Sequence, residues 1–484
     1  MRPQDFALPL EPGSREPLYL QIARSLSSRI AGGHLAPGTV LPGARQLAEG
    51  LGVNRKTAVL AYQELEAEGW IRTQAGRGPR VARPPEAADP VAPGGGGQQS
   101  TIFDFSTVLD VPPAEPGAVL DLREGGPDPR LLPSADLGAA YRRGLEKHGA
   151  ELLHYGEPRG HEGLREALAR WLTERRGLLA RPEHLLVTRG TRAGLVLLLR
   201  ALPGEPAVAV EEGGSAGVQA ALREAGARIL PVPGDDGGLR VDVLAARLAA
   251  ERIQFLHLSP HACATHGASL PEDRRAALLR LAEAHRFVIA EDDAGYEFHH
   301  GERPALPLGA HDPKGVVVGL GSFAQLLAPG IRVGYLVARG SIIARLARAK
   351  AGVDFQGDRV LEGALAELMR SEILHRHVRR ARKAYAARRY AALACLARLP
   401  GISLAPPRCG LGIWTTLPDG FDAGAFVLGA LERGVLLAAP VPARDGSARA
   451  HLRFGFGPQT EAEWEAAFRS LEPVYVRCLS RGAS

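Results

Sequence analysis

The chain has 484 residues, 45% hydrophobic and 23% charged, too long for one ordinary core, so two to three modules are expected. It shows neither a long uninterrupted apolar run nor the basic-then-apolar start of a secretion signal, and the expectation is a cytoplasmic chain without a membrane span. A net charge of +6 and a pI near 9.3 are compatible with nucleic-acid binding but decide nothing alone, because the chain carries 54 arginines against five lysines. The four cysteines, Cys263, Cys395, Cys409 and Cys478, lack CxxC pairing and read as free thiols.

At the N-terminal end, Leu18, Ile22, Leu26 and Ile30 recur every fourth residue, the spacing of one helix face, and Gly32-Gly33 ends that helix. A second helix fits Ala44 to Leu51. Gly52 supplies a tight turn into a third, N-capped by Asn54, with Ala58, Tyr62 and Leu65 facing inward. Trp70 to Val81, containing Gly76-Arg77-Gly78, suits a two-stranded wing. Residues 12–82 therefore read as a winged helix-turn-helix. The runs Leu41-Pro42-Gly43-Ala44-Arg45-Gln46-Leu47-Ala48, Leu51-Gly52-Val53-Asn54-Arg55-Lys56-Thr57-Ala58 and Ala61-Tyr62-Gln63-Glu64-Leu65 closely resemble the GntR-family winged helix. That resemblance implies that Arg45, Arg55 and Thr57 touch double-stranded operator DNA from the second and recognition helices, and Arg77 from the wing. Arg45, Arg55 and Lys56 lie around the start of the recognition helix, where basic side chains and backbone amides engage phosphates or guanine edges. Gly43-Ala44 and Asn54 stand where the family prefers serines, a departure expected to remove phosphate hydrogen bonds and alter operator preference.

Residues 83–117 are rich in proline and glycine, with Gly94 to Gly97 consecutive, and read as a flexible linker. From 118 to 484, apolar strand-like runs (His184 to Thr188, Ala207 to Val210, Arg228 to Val232, Phe255 to Leu258, Phe287 to Ala290, Gly315 to Leu320) alternate with helical stretches such as Leu164 to Arg175 and Arg274 to His285. Alternation of that kind predicts an α/β body with a mainly parallel sheet. The end of the chain, from about 385 to 484, reads as a smaller α+β subdomain: Ile413 to Leu417 and Ala450 to Gly455 flank a helix at Ala425 to Arg433.

Several motifs in this body are similar to those of fold-type I aminotransferases. They are Tyr155-Gly156-Glu157-Pro158-Arg159-Gly160, Gly190-Thr191-Arg192 opening a helix, Glu291-Asp292-Asp293, the stretch from Gly321 to Tyr335, and Leu452-Arg453-Phe454-Gly455-Phe456. A GntR head, a linker and such a body make up the layout of the MocR subfamily of transcription regulators, which the chain resembles over nearly its full length. The resemblance implies a homodimer, with Asp292 opposite the pyridine nitrogen of pyridoxal 5'-phosphate, Arg332 on its phosphate and Arg453 on a substrate or effector carboxylate.

Gln325 occupies the place of the lysine that holds the cofactor covalently. A carboxamide nitrogen is delocalised into its carbonyl, so Gln325 can neither form a Schiff base nor act as the general base of transamination. Other expected losses surround it: Ala294 replaces a tyrosine, with Tyr296 two positions out of register; Gly213-Gly214-Ser215 replaces a PGY segment; and the loop from His261 to Gly267 departs from the family pattern. Lys147 is in an early helix and Lys314 before a strand, while Lys350 and Lys383 are expected on solvent-facing helices; none has the setting of a substitute. His257, His261, Cys263 and His266, with Asp292, Glu297, His299 and His300, are ligand types for a transition metal, but their spacing fits no standard finger and no metal site is assigned. Three readings follow: a regulator whose body is a pseudoenzyme serving dimerisation and effector sensing, a regulator that binds pyridoxal phosphate noncovalently as effector, and an aminotransferase with an unusual site.

Overall fold

The computed structural model describes residues 8, 10–11, 13–14, 16–74, 77–82, 120–123, 125–262, 267–293, 295–301, 304–442 and 449–481. The linker expected at 83–117 lies outside them. The chain divides into two compact units, 1–106 and 107–484.

In the first unit, α1 (Leu18–Ala31), α2 (Ala44–Leu51) and α3 (Arg55–Ala67) precede a hairpin of β1 (Ile71–Gln74) and β2 (Arg77–Val81). Ile22, Leu26, Leu47, Ala58, Tyr62 and Leu65 close its core, as the periodicity predicts. The α2–α3 turn needs Gly52 at φ 66°, a left-handed conformation that costs glycine little. Buried Tyr62 donates its hydroxyl to the Pro42 carbonyl at 2.7 Å, fixing the segment before α2 against α3. Ile71 pairs with Val81 across the antiparallel wing, and Thr73 N–H donates to Glu66 Oε1 at 2.9 Å, tying that wing to α3.

In the second unit the elements run β3 (Leu120–Asp121), α4 (Ser134–Leu153), α5 (Glu162–Arg176), β4 (Leu185–Thr188), α6 (Thr191–Arg200), β5 (Ala207–Glu211), α7 (Ala216–Glu224), β6 (Arg228–Val232), β7 (Gly234–Asp235), β8 (Gly238–Leu239), α8 (Val241–Ala250), β9 (Phe255–Leu258), α9 (Glu272–His285) and β10 (Val288–Asp292). They continue with β11 (Val317–Ser322), α10 (Phe323–Leu326), β12 (Gly334–Val337), α11 (Gly340–Ala351), α12 (Arg359–Arg370), α13 (Ile373–Leu396), β13 (Ser403–Ala405), β14 (Gly412–Thr416), α14 (Ala423–Leu431), β15 (Val435–Leu436), β16 (Val441–Pro442), β17 (Ala450–Gly455) and α15 (Glu461–Arg481). A seven-stranded sheet of order β4-β12-β11-β10-β9-β5-β6 forms the centre, parallel except for β12, which is antiparallel to both neighbours. The apolar runs predict such buried strands: every residue of β4, β5 and β9 is buried. Two aliphatic clusters cover its faces, one with α6, α7 and α11, the other with α8 and α9.

A four-stranded antiparallel sheet, β13-β14-β17-β16, packs with α14, α15 and the second half of α13 as the smaller subdomain. One strand from far upstream joins it. β3 pairs in parallel with β15, Leu120 opposite Val435, and Leu122 enters the same core. Asp128 fixes this crossing segment, its buried carboxylate 2.8 Å from Arg388 and its N–H donating to the Tyr385 hydroxyl at 2.9 Å. One expectation is corrected. Lys350 does not face solvent: its side chain is 1% exposed, its ammonium 3.2 Å from Asp354, because the end of α11 turns its stem into the core and the following loop returns a carboxylate to it.

Candidate functional site

On the head, the Asn54 side chain accepts the Lys56 N–H at 2.8 Å and so starts α3. The capped first turn presents exposed Arg55 and Lys56 and half-buried Thr57. Arg45, in the first turn of α2, is exposed and pairs with Glu49 at 3.1 Å. A surface pair of that kind contributes at most about 1 kcal/mol, so Arg45 is free to exchange its carboxylate for a phosphate. Arg77 opens β2, but its side chain lies outside the described residues.

In the body, a cleft of about 260 Å³ lies at the carboxyl ends of the parallel strands, where open α/β sheets hold ligands. Buried Asp292 ends β10 with Oδ2 3.7 Å from His257 Nε2 on neighbouring β9. α10 starts where the Ser322 hydroxyl accepts the Ala324 N–H at 3.1 Å, and this short helix carries exposed Gln325 to the cleft wall. Arg453 enters from the smaller subdomain on β17, opposite Trp414 of β14, and both line the cleft. A Cβ at Gly412 would lie 2.5 Å from Arg453 Nε, so a side chain at 412 would displace the guanidinium.

Arg332 stands at φ 47°, a left-handed conformation that is strained for arginine, and donates to the Arg189 carbonyl at 3.1 Å. Its exposed guanidinium lies against Gly190, just ahead of the α6 N-terminus, and makes no ion pair among the described residues. The structure thus brings Asp292, Gln325 and Arg453 into one cleft, with Arg332 beside the helix end that closes it.

The ligand-type histidines separate. His261 is buried, its ring edge-on to Tyr296 at 5.0 Å, and burial drives its imidazole down to about 3. Burial also lowers His300 to about 4. Cys263 and His266 lie outside the described residues, and among those described no group of three or more His, Cys, Asp or Glu side chains is placed to hold a metal. Cys409 lines the cleft as a thiol, not a thiolate, since burial raises it to about 11.

The family pattern described as "Bacterial regulatory proteins, gntR family" matches residues 18–81, and that of "Aminotransferase class I and II" matches residues 120–468. The chain is 31% identical to the pyridoxine biosynthesis transcriptional regulator PdxR of Corynebacterium glutamicum, over 84% of its own length and 85% of the relative's. With the probable rhizopine catabolism regulatory protein MocR of Rhizobium meliloti it shares 28% identity, over 87% and 83% of the two lengths. This chain belongs to the MocR-type regulators of the GntR family. The kynurenine aminotransferase of Pyrococcus horikoshii superposes on the body of this MocR-type regulator with a TM-score of 0.68 at 27% identity, covering 75% of this chain and 92% of that one.

Two features of the MocR-type body go beyond the roles read from its sequence, which names Arg192 only as part of a helix-opening motif. Arg192, in the first turn of α6, lines the cleft and lies over Gly217, where a Cβ would come within 2.4 Å of Nη2. Its signal was a cation in a helix first turn, where the dipole disfavours one. The second is an ionic cluster around a small cavity of about 40 Å³ that Gln325 also lines. Arg176 pairs with Asp293, lies 3.4 Å from Glu297 and stacks on Tyr296 at 3.7 Å. Burial pushes the Asp293 carboxyl up to about 7 against the pull of Arg176. Tyr296 therefore belongs to this cluster and not to the cleft.

Proposed function

We propose that this MocR-type regulator uses its aminotransferase-like body for dimerisation and ligand recognition and not for transamination. One observation carries the reading: Gln325, which the motif resemblance sets at the position of the cofactor lysine, lines the cleft, and no lysine is among its described lining residues. Dimerisation is supported by an exposed apolar patch in which Tyr155, 85% exposed, meets Phe355 edge-on at 5.6 Å beside exposed Leu153 and Val353. The pairing would set two heads on two half-sites of one operator.

A second reading is favoured by the Asp292–His257 pair at the floor and by Arg332 at the rim, which forms no ion pair among the described residues: noncovalent binding of pyridoxal 5'-phosphate as effector. Asp292 would face the ring nitrogen, Arg332 and the α6 N-terminus the phosphate, and Arg453 a carboxylate on a partner ligand. Bound there, the cofactor would supply an electron sink, but Gln325 offers no amine to anchor it and no base to move a proton. Titration with pyridoxal 5'-phosphate, followed by absorbance and calorimetry, separates the readings: saturable binding that dialysis reverses supports the effector role, and no heat or spectral change removes it. After borohydride treatment the wild type is expected to carry no adduct, whereas Gln325→Lys is expected to carry one. Turnover of an amino donor and keto acid that disappears in Asp292→Ala would overturn the pseudoenzyme reading.

A further inference from the structure

α13 is the longest described helix, and its two faces differ in kind. Ile373, Leu374, Val378, Ala381, Tyr385, Ala392 and Leu396 are buried, while Arg376, Arg379, Arg380, Lys383 and Tyr390 are exposed. The exposed set is spaced by three, four and seven residues, which places it on one stripe. Arg380 donates to the Leu131 carbonyl. None of the four cations forms an ion pair among the described residues, and Glu372, at the helix start, is engaged by His375 at 3.1 Å. Between Lys383 and Tyr390, which is 77% exposed, the exposed residues are Ala386 and Ala387.

From these observations we infer that the exposed face of α13 binds the phosphate backbone of DNA, as a second, sequence-independent contact made by the body. Charge complementarity selects this partner. From Arg376 to Lys383 the helix rises about 10 Å, a length over which one DNA strand presents about three phosphates, matching Arg376, Arg379 and Lys383. Tyr390 lies one further heptad along, where its hydroxyl can donate to the backbone. A lipid surface would need an apolar helix face to enter it, and the apolar face of α13 is already spent on the core. A protein partner would need an apolar centre within the stripe, where two alanines stand and the one aromatic, Tyr390, lies at its end beyond the cations. The head holds DNA on the same chain, so the local concentration of phosphate at the body is high without strong affinity in the stripe itself.

The test uses the full-length protein and a fluorescent duplex without operator sequence, with affinity measured across sodium chloride concentration. The triple variant Arg376→Ala, Arg379→Ala, Lys383→Ala is expected to lower the slope of log affinity against log salt by about 2 to 3, and to bind roughly 10- to 100-fold more weakly near ~0.1 M salt. Replacement of Arg376 and Arg379 by lysine should keep the slope, which distinguishes lost charge from a disturbed fold. The same decrement should persist in an Arg55→Ala background, since head and body contacts are separate. An unchanged slope in the alanine variant overturns the inference. So does loss of binding to phosphatidylserine vesicles with DNA binding intact, which would assign the stripe to a membrane surface.

Discussion

A glutamine and a lysine at position 325 would reach the cleft from the same α10 turn, and they differ in what a neighbouring carbonyl carbon would meet. The amide can only exchange hydrogen bonds, so a ligand here would have to be held by charge at its ends. Those charges are Arg453, Arg192 and, at the rim, Arg332, with Asp292 lining the same cleft. In the head, exposed Arg55 stands at the start of α3, where the family resemblance expects it to meet a base or a phosphate. Arg55→Ala is expected to weaken operator binding by about 1 to 3 kcal/mol if it meets a guanine edge, measured by gel shift on the chain's own upstream region. That Asp292, Arg453 and Gln325 share one cleft follows from motif residues holding their places along the chain. Arg192 was hidden because its contact, Gly217, belongs to a different helix, and Arg176 because Asp293 is 117 residues away.

At the scale of elements, local signals worked where the chain itself supplies the geometry. α1, the Gly52 turn, the Asn54 cap and strand β6 follow from periodicity and turn chemistry alone. They failed where tertiary packing decides: the stem of Lys350 is buried in the core although its carboxylate partner Asp354 is only four residues on, and β3 exists only because β15 offers it an edge. The loop after β9 carries a pH signature for the same tertiary reason. His261 is packed against Tyr296 with Arg275 and Arg176 near, and burial favours its neutral form. A folded-state value depressed to about 3, below the ordinary 6.5, gives stability that is fully present above pH 6.5 and is lost as pH falls toward 3. His300 adds to this loss, while Asp293, raised to about 7, works in the opposite sense by gaining stability as pH falls through 7. Comparison with His261→Gln isolates one contribution. Between pH 7 and 5 the wild type should lose about 2 kcal/mol of unfolding free energy relative to the variant in denaturant titrations.

For the whole molecule, the proposed pairing of bodies is what would bring a second head to a second half-site. The patch of Leu153, Tyr155, Val353 and Phe355 is exposed in one chain, and its burial in a pair would remove apolar surface from water. Tyr155→Asp combined with Phe355→Asp is expected to shift the mass measured by light scattering from dimer to monomer and to weaken operator binding in parallel. A dimeric mass in that variant would place the interface elsewhere on the body.

The pairing of β3 with β15 has a mechanical consequence. The residues that follow the Pro/Gly-rich segment are stitched first to the smaller subdomain, through Leu120, Leu122 and the Asp128–Arg388 pair. That subdomain also supplies Arg453 to the cleft. Any displacement of Arg453 would therefore be shared by the subdomain to which β3 is paired, so the cleft and the first described strand of the body move as one block.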